Sequence, residues 1–408
     1  MQRIRMSLPY FKENGWEVEV ITVDEQFSET NKDPLLLKNV PEDVIVHKVN
    51  AFSKKITGKF GLGSLALRSL YFYKKYVNAL LREKKYDLIY FSTTEFAVTI
   101  LGDYWKKKFN IPYVIDMQDP WHSTYYEDKP KNERPAKYWF SFRLNKYLEP
   151  IAMKNVDGLI SVSKAYINDL QKRYPEIKTI PTSTITFGAF KPDFDLAKKS
   201  SYNFKLPYKT TGNVINLVYL GRGGYDMKEA LMLLFSGFKK GLYTNPNQFK
   251  KLRFNFIGTS YAPKGQGKPT IRPIALALGI EEYVLEQTDR LPFYEGINAL
   301  LNADGLLILG SNDPQYTASK IYPYILAERP LLALLHSDSS AYQILKTNTA
   351  AKVISLLSDE NSIDSVYETF TNIINNQQVP TTDWDKFDHY SASNMTKLQC
   401  DLFNQIIN

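Results

Sequence analysis

Short apolar runs recur through the second half of this chain at 215–220, 254–257, 283–286, 305–309, 331–335 and 352–357, each separated from the next by a helix-length stretch. That alternation constrains the fold more than any other feature. A strand buried on both faces reads as a continuous apolar run, and successive parallel strands need a long crossover, usually a helix. The pattern predicts an α/β domain built on a doubly wound parallel sheet of six strands with five helical crossovers. The first half has the same rhythm less regularly. Strand-like runs occur at 16–23, 87–92, 112–116 and 156–162, and Ser163 is placed to cap a helical pattern over 164–174. Ahead of these, residues 1–15 read as a helix closed by Gly15. A helix-first order is expected of a βαβ unit whose first strand and loop are missing, although a domain that simply starts with a helix accounts for the same pattern.

At 408 residues the chain exceeds the ~100–200 typical of one domain. The expectation is two Rossmann-like doubly wound domains facing a central cleft. The first spans 1–190 and the second 213–385, joined by a linker over 191–212, where apolar periodicity lapses among Lys191, Pro192, Lys199, Lys205 and Pro207. Segment 386–408 has Met395, Leu398, Leu402, Phe403 and Ile406 at helical spacing and no strand after it. Such a helix needs a surface to cover and is expected to cross back and complete the first domain.

Composition narrows the function. A hydrophobic share of 44% with 23% charged residues excludes wholesale disorder, and no apolar run approaches the ~18 residues of a spanning helix. The single cysteine, Cys400, excludes an internal disulfide framework and fits a reducing compartment. His47, His122, His336 and His389 lack metal-ligand spacing, so no metal and no cofactor is expected. The net charge of +8 suits an anionic partner. No helix-turn-helix, RNP-like or zinc pattern accompanies it, so nucleic acid is disfavoured.

Two loops after strand-like runs have the chemistry to hold phosphate. After 215–220 come Gly221, Arg222, Gly223, Gly224 and, at the start of a helix, Lys228. Glycines allow close backbone approach, Arg222 offers a two-pronged donor, and a helix N-terminus favours anions. A diphosphate cradle and a plain tight turn both fit. After 305–309, Thr317 and Ser319 are helix-capping types, followed by Lys320, and Pro323 must fall in the first turn of the helix that follows. A cap with or without a ligand is open here.

The order of four segments resembles GT-B glycosyltransferases of the family 4 type, as found in bacterial surface-polysaccharide synthesis: Gln2-Arg3 through Gly15-Trp16-Glu17-Val18; Asp116-Met117-Gln118-Asp119-Pro120-Trp121; Gly221-Arg222 with Lys228; and Thr317 through Tyr324 leading to Arg329-Pro330. The resemblance implies sugar transfer from a nucleotide-sugar with net retention and no metal, the second domain holding the donor and the first the acceptor. It assigns Gly221, Arg222, Lys228, Thr317, Ser319 and Lys320 to the donor, with Asp119, Arg222 and Lys228 acting in catalysis. Glu95, Gln118, Asp119 and His122 fall on the acceptor side. The sequence departs from the family where its Glu-x7-Glu acids would stand, at Gln315 and Pro323, and in carrying Gln118 where many relatives carry histidine. A donor-defective homologue serving as a glycan-binding or scaffolding subunit is therefore the alternative reading.

From 51 to 85 there are nine basic residues against one acid, Glu83, interspersed with aromatic and aliphatic side chains. A docking face for anionic lipid over 54–85 and a solvated helix face are equally compatible with that pattern. The first would place the protein in the cytoplasm, peripheral on the inner face of the cell membrane, with a lipid-linked or glycan acceptor.

Overall fold

The computed structural model describes residues 2–28, 33–124, 127, 134, 138–200, 204–210, 212–311, 321–349, 351–356, 359–375 and 382–408. Two compact units result, one of residues 1–188 with 390–408 and one of residues 189–389. Among the described residues the strands pair in parallel, and an isolated antiparallel bridge joins Thr349 and Thr382.

In the first unit, β1 (Glu19–Val23) pairs with β2 (Ile45–Val49), and a second sheet runs β3 (Ile89–Ser92), β4 (Tyr113–Met117), β5 (Gly158–Ser161), β6 (Thr182–Thr184) in that order. β4 and β5 are buried along their whole length, including the polar side chains near their ends, Asp116 and Ser161. β2 and β6 are partly exposed edge strands without such a run. The opening segment is a helix, Gln2–Ser7, followed by two 3-10 turns ending at Gly15, whose φ of +81° is the left-handed C-cap that glycine adopts without strain.

Helix Ala392–Ile407 belongs to the first unit. It packs on β5, β6 and helix Gln2–Ser7. Its Phe403 meets the rings of Phe11, Trp16 and Tyr90, and its Asn404 accepts from the Trp16 indole at 3.1 Å. Gly158 of β5 leaves the room: a Cβ there would lie 2.5 Å from Ile406 Cδ1.

The second unit is a six-stranded sheet in the order β12 (Lys352–Ser355), β11 (Leu331–Leu335), β10 (Gly305–Leu309), β7 (Ile215–Leu220), β8 (Leu252–Ile257), β9 (Val284–Gln287). Helix Lys228–Thr244 covers the sheet alongside Glu360–Ile374, with Phe235, Phe238, Phe249, Phe254, Phe256 and Phe370 at the centre of the core. Gly237 permits the close helix contact, since a Cβ there would lie 2.5 Å from Val366 Cγ1.

The expected linker over 191–212 is corrected by the structure. Lys191–Lys199 is a helix of the second unit, packed on Phe293–Leu301, with Phe194 and Ala197 buried and the Tyr294 hydroxyl donating to buried Asp193 at 2.8 Å. Pro192 in its first turn is a helix-start signal, and the many lysines obscured the apolar side of the helix.

Candidate functional site

In the second unit the chain winds to one side of β7 through β8 and β9, and to the other through β10, β11 and β12. The carboxyl ends of β7 and β10 therefore flank a topological switch point, where open α/β sheets bind ligands. β10 pairs with β7 only through Gly305–Leu217 and Leu306–Val218. Nearer the loop, the Tyr324 hydroxyl serves the end of β7 instead, accepting from Leu220 N at 2.7 Å and donating to Leu220 O at 3.0 Å.

The turn from Gly221 to Lys228 leaves this point. Gly221 N and Gly223 N continue the ladder to β8 by donating to Ile257 O and Thr259 O. Gly223 must lack a side chain, because a Cβ would stand 2.7 Å from Thr270 Oγ1 and 3.1 Å from Thr259 Cβ. Arg222 is half-buried and forked onto Asp226, with contacts of 3.2 and 2.5 Å to its two oxygens, while its carbonyl accepts from Tyr219 Oη. Lys228 is exposed as the first residue of helix Lys228–Thr244. Two cations thus stand within one glycine turn, one already drawn onto a carboxylate that a phosphate would have to displace.

Thr317, Ser319 and Lys320, together with Gln315, lie outside the described residues. The helix that follows is described over Ile321–Leu326 and contains Pro323.

In the first unit a buried polar network precedes the acceptor-side loop. Asp116, at the end of β4, is wholly buried, and its Oδ2 gathers Arg3 Nε at 2.8 Å, Gln118 Nε2 at 2.8 Å, Tyr90 Oη at 3.2 Å and Ser92 Oγ at 3.3 Å. Burial pushes its carboxyl up, against the pull of the Arg3 guanidinium and these hydrogen bonds. Arg3, also wholly buried, donates to Ile185 O at 2.8 Å and Thr186 O at 3.1 Å, which ties the opening helix to the segment after β6. Sequence pattern assigns neither Arg3 nor Asp116 a role, although both stand in segments that carry the resemblance. A basic residue near the start and an acid in a strand gave no local signal of a pair 113 positions apart.

The residues expected on the acceptor side divide. Gln118 is buried and its amide is committed to Asp116 and Ser92. Asp119 is exposed; partial desolvation raises its pKa, and burial, followed by the Asp119 charge, raises that of Tyr166. Glu95 is exposed, and its carboxylate accepts from Ala66 N at 3.0 Å, at the first turn of helix Leu65–Glu83. His122 is fixed by a different group. Arg173, which can only donate, reaches His122 Nδ1 at 3.0 Å and its carbonyl at 2.9 Å, so the imidazole carries its proton on Nε2. Desolvation, then the charges of Arg173 and Lys146, lower its pKa and keep it neutral. Glu149, buried and raised by desolvation, completes the cluster by accepting from His122 N, Tyr174 Oη and Arg173. Its Nε2 is buried without a hydrogen-bond partner among the described residues, and a neutral ring stands poorly to act as an imidazolium acid.

Residues 5–184 match the model of Glycosyltransferase Family 4. That match lies within the first unit and covers most of it. Among solved structures, the N-terminal domain of trehalose-6-phosphate phosphatase from Candida albicans is similar in fold, with a TM-score of 0.50 at 13% identity, covering 98% of this chain and 92% of that one. WaaG, a glycosyltransferase involved in lipopolysaccharide biosynthesis, matches at 14% identity over 95% of each chain with a TM-score of 0.47. A UDP-forming trehalose-phosphate synthase from Burkholderia xenovorans matches at 10% identity over 82% of this chain and 79% of its own, with a TM-score of 0.48. No curated protein sequence matches the chain significantly. The chain is a GT-B glycosyltransferase fold with two Rossmann-like units.

Proposed function

We propose that this family 4 protein moves a sugar from a nucleotide-sugar to a glycan or lipid-linked acceptor, with retention and without a metal, in cell-surface polysaccharide synthesis. The observation that carries the reading is the Gly221–Lys228 turn at the switch point of the second unit, where Arg222 and Lys228 flank backbone that only glycine allows. As the bond from sugar to phosphate breaks, charge grows on the departing diphosphate. Fixed cations placed there lower the barrier, which is the work a metal would otherwise do. Asp119, exposed after β4 with a raised pKa, is an acid of the first unit that can serve the acceptor or the transferring sugar.

Calorimetric titration with UDP, GDP and their sugars tests the donor assignment. Arg222→Ala should weaken nucleotide-diphosphate binding by roughly 10- to 100-fold, the worth of a charge-assisted contact of about 1.5–3 kcal/mol. Unchanged affinity would remove Arg222 from the diphosphate. Complete absence of nucleotide binding would favour a glycan-binding or scaffolding subunit instead, a reading that Pro323 in place of a family glutamate keeps in view.

A further inference from the structure

The basic stretch 54–85 is two different objects in the fold. Helix Leu65–Glu83 is a packed element, with Ala66, Arg68, Ser69 and Val77 buried. Arg68 is unavailable to any partner, since it donates to Phe52 O at 2.7 Å and Phe27 O at 2.9 Å, and Lys74 lies over the Tyr104 ring. Of the basic residues on this helix, Arg68 and Lys74 are thus engaged within the fold.

Residues 52–62 behave otherwise. They fold as a tight turn, helix Lys54–Thr57 running into a 3-10 turn at Gly58–Phe60, and reverse at Gly61, whose φ is +78°. Leu62 N donates to Thr57 O at 3.1 Å and closes the turn. Its outward side chains are large and apolar: Ile56 is 64% exposed and Phe60 73%, with Phe52 and Leu62 also exposed. Lys54, Lys55 and Lys59 stand among them. The patch continues onto helix Tyr138–Met153, because Phe140 packs on Gly61 so closely that a Cβ there would be 2.8 Å from its ring. Beside it Trp139 is 64% exposed, with Arg143 over its ring at 5.8 Å. Neither 51–82 nor 138–148 contains an acidic residue.

We propose that the 52–62 turn together with Trp139 is a membrane-insertion patch for an anionic bilayer. Folded chains rarely expose several large apolar groups on one short turn without a partner, and lysines around them match a negatively charged headgroup layer. A self-paired copy of the chain would bring Lys54, Lys55 and Lys59 against their equivalents, which disfavours that occupant. Position also fits the purpose. Glu95 caps the helix that begins just after the turn, and Asn145, on the helix that carries Trp139, accepts from the Trp121 indole at 3.2 Å. The patch therefore borders the loops after β3 and β4, the side assigned to the acceptor. The inference deepens the lipid-linked acceptor reading and rests on it only for its purpose. Among the described residues no helix is long and apolar enough to cross a membrane.

The test is co-sedimentation of the full chain with phosphatidylcholine vesicles containing about a third phosphatidylglycerol, alongside pure phosphatidylcholine, with no nucleotide or acceptor present. Binding should require the anionic lipid and fall with salt. The triple variant Lys54→Ala, Lys55→Ala, Lys59→Ala should bind about 100-fold more weakly, from ~1 kcal/mol per basic residue. Ile56→Ser with Phe60→Ser keeps the charge and should still lose about tenfold or more. Brominated lipid should quench tryptophan emission, and Trp139→Phe should abolish most of that quenching while binding persists. All of these are surface changes, and far-UV circular dichroism confirms the fold. Absent binding, binding indifferent to both sets of variants, binding without quenching of Trp139, or dimerisation that shields Trp139 would each overturn the patch. Because no sugar transfer is measured, such a failure leaves the glycosyltransferase reading standing, and a failed nucleotide titration leaves the patch standing.

Discussion

Removing one partner of the Arg3–Asp116 pair should unfold the first unit far more readily than removing both. Each side chain is wholly buried, and Asp116 Oδ2 accepts three hydrogen bonds within 3.3 Å while pairing with the Arg3 guanidinium at 2.8 Å. Replacing Asp116 with Leu leaves a buried guanidinium and three polar side chains without their acceptor. Replacing Arg3 with Met leaves a buried carboxylate and uncovers the carbonyls of Ile185 and Thr186. Each single change should cost about 3–5 kcal/mol, as when a buried ion pair loses one member. The double variant Arg3→Met with Asp116→Leu abolishes both charges and should cost less than either single, because apolar side chains of similar volume remove the desolvation penalty as well as the attraction. Tryptophan fluorescence in urea suits the measurement, since four of the five tryptophans (Trp16, Trp105, Trp121 and Trp139) belong to the first unit. At a slope of about 2 kcal/mol/M, each single variant should lower the midpoint by roughly 1.5–2.5 M. A double variant as damaging as the sum of the singles would show that the two groups act independently and would refute the reasoning. The same pair holds the strand end from which Asp119 projects, so surviving single variants should also show disturbed acceptor use.

Glu19 gives the first unit an acid sensitivity of known sign. Burial opposes its charge, but hydrogen bonds from Lys84, Tyr86 and His47 outweigh that and bring its pKa down to about 2. A carboxylate depressed in the folded state stabilises above its unfolded value of 4.5 and loses that contribution as pH falls towards 2. After discounting for solvent screening, about 1–2 kcal/mol should disappear over that window. Urea midpoints at several pH values should show it, and Glu19→Gln should flatten the curve there; an unchanged slope would count against the assignment. Truncation after residue 390 should selectively unfold the first unit, because it uncovers β5 and strips Phe403 from Phe11, Trp16 and Tyr90. Near-ultraviolet circular dichroism and tryptophan emission follow that loss, and a shortened chain with native spectra would contradict the packing.

How much of this was legible beforehand depends on what surrounds each segment. Strands β7, β10 and β11 announced themselves as unbroken apolar runs because helices cover both faces of their sheet. β2 and β6 did not, since an edge strand is held by its neighbour's backbone and needs no apolar run of its own. Within the candidate site, the Gly221–Lys228 turn was readable because glycine and cations are local chemistry. The fate of its Arg222, forked onto Asp226, was not. Gln118 and Arg68 looked available in sequence and are consumed internally.

The sequence by itself determined the α/β class, the two-domain count and the loops able to meet phosphate, because burial on two faces and backbone freedom at glycine are written in residue type and spacing. Only the tertiary structure decided which charges are buried as partners and which face outward, which carboxylate caps a distant helix, and where the last helix packs. Those outcomes depend on contacts between residues far apart in the chain, and no local pattern records them.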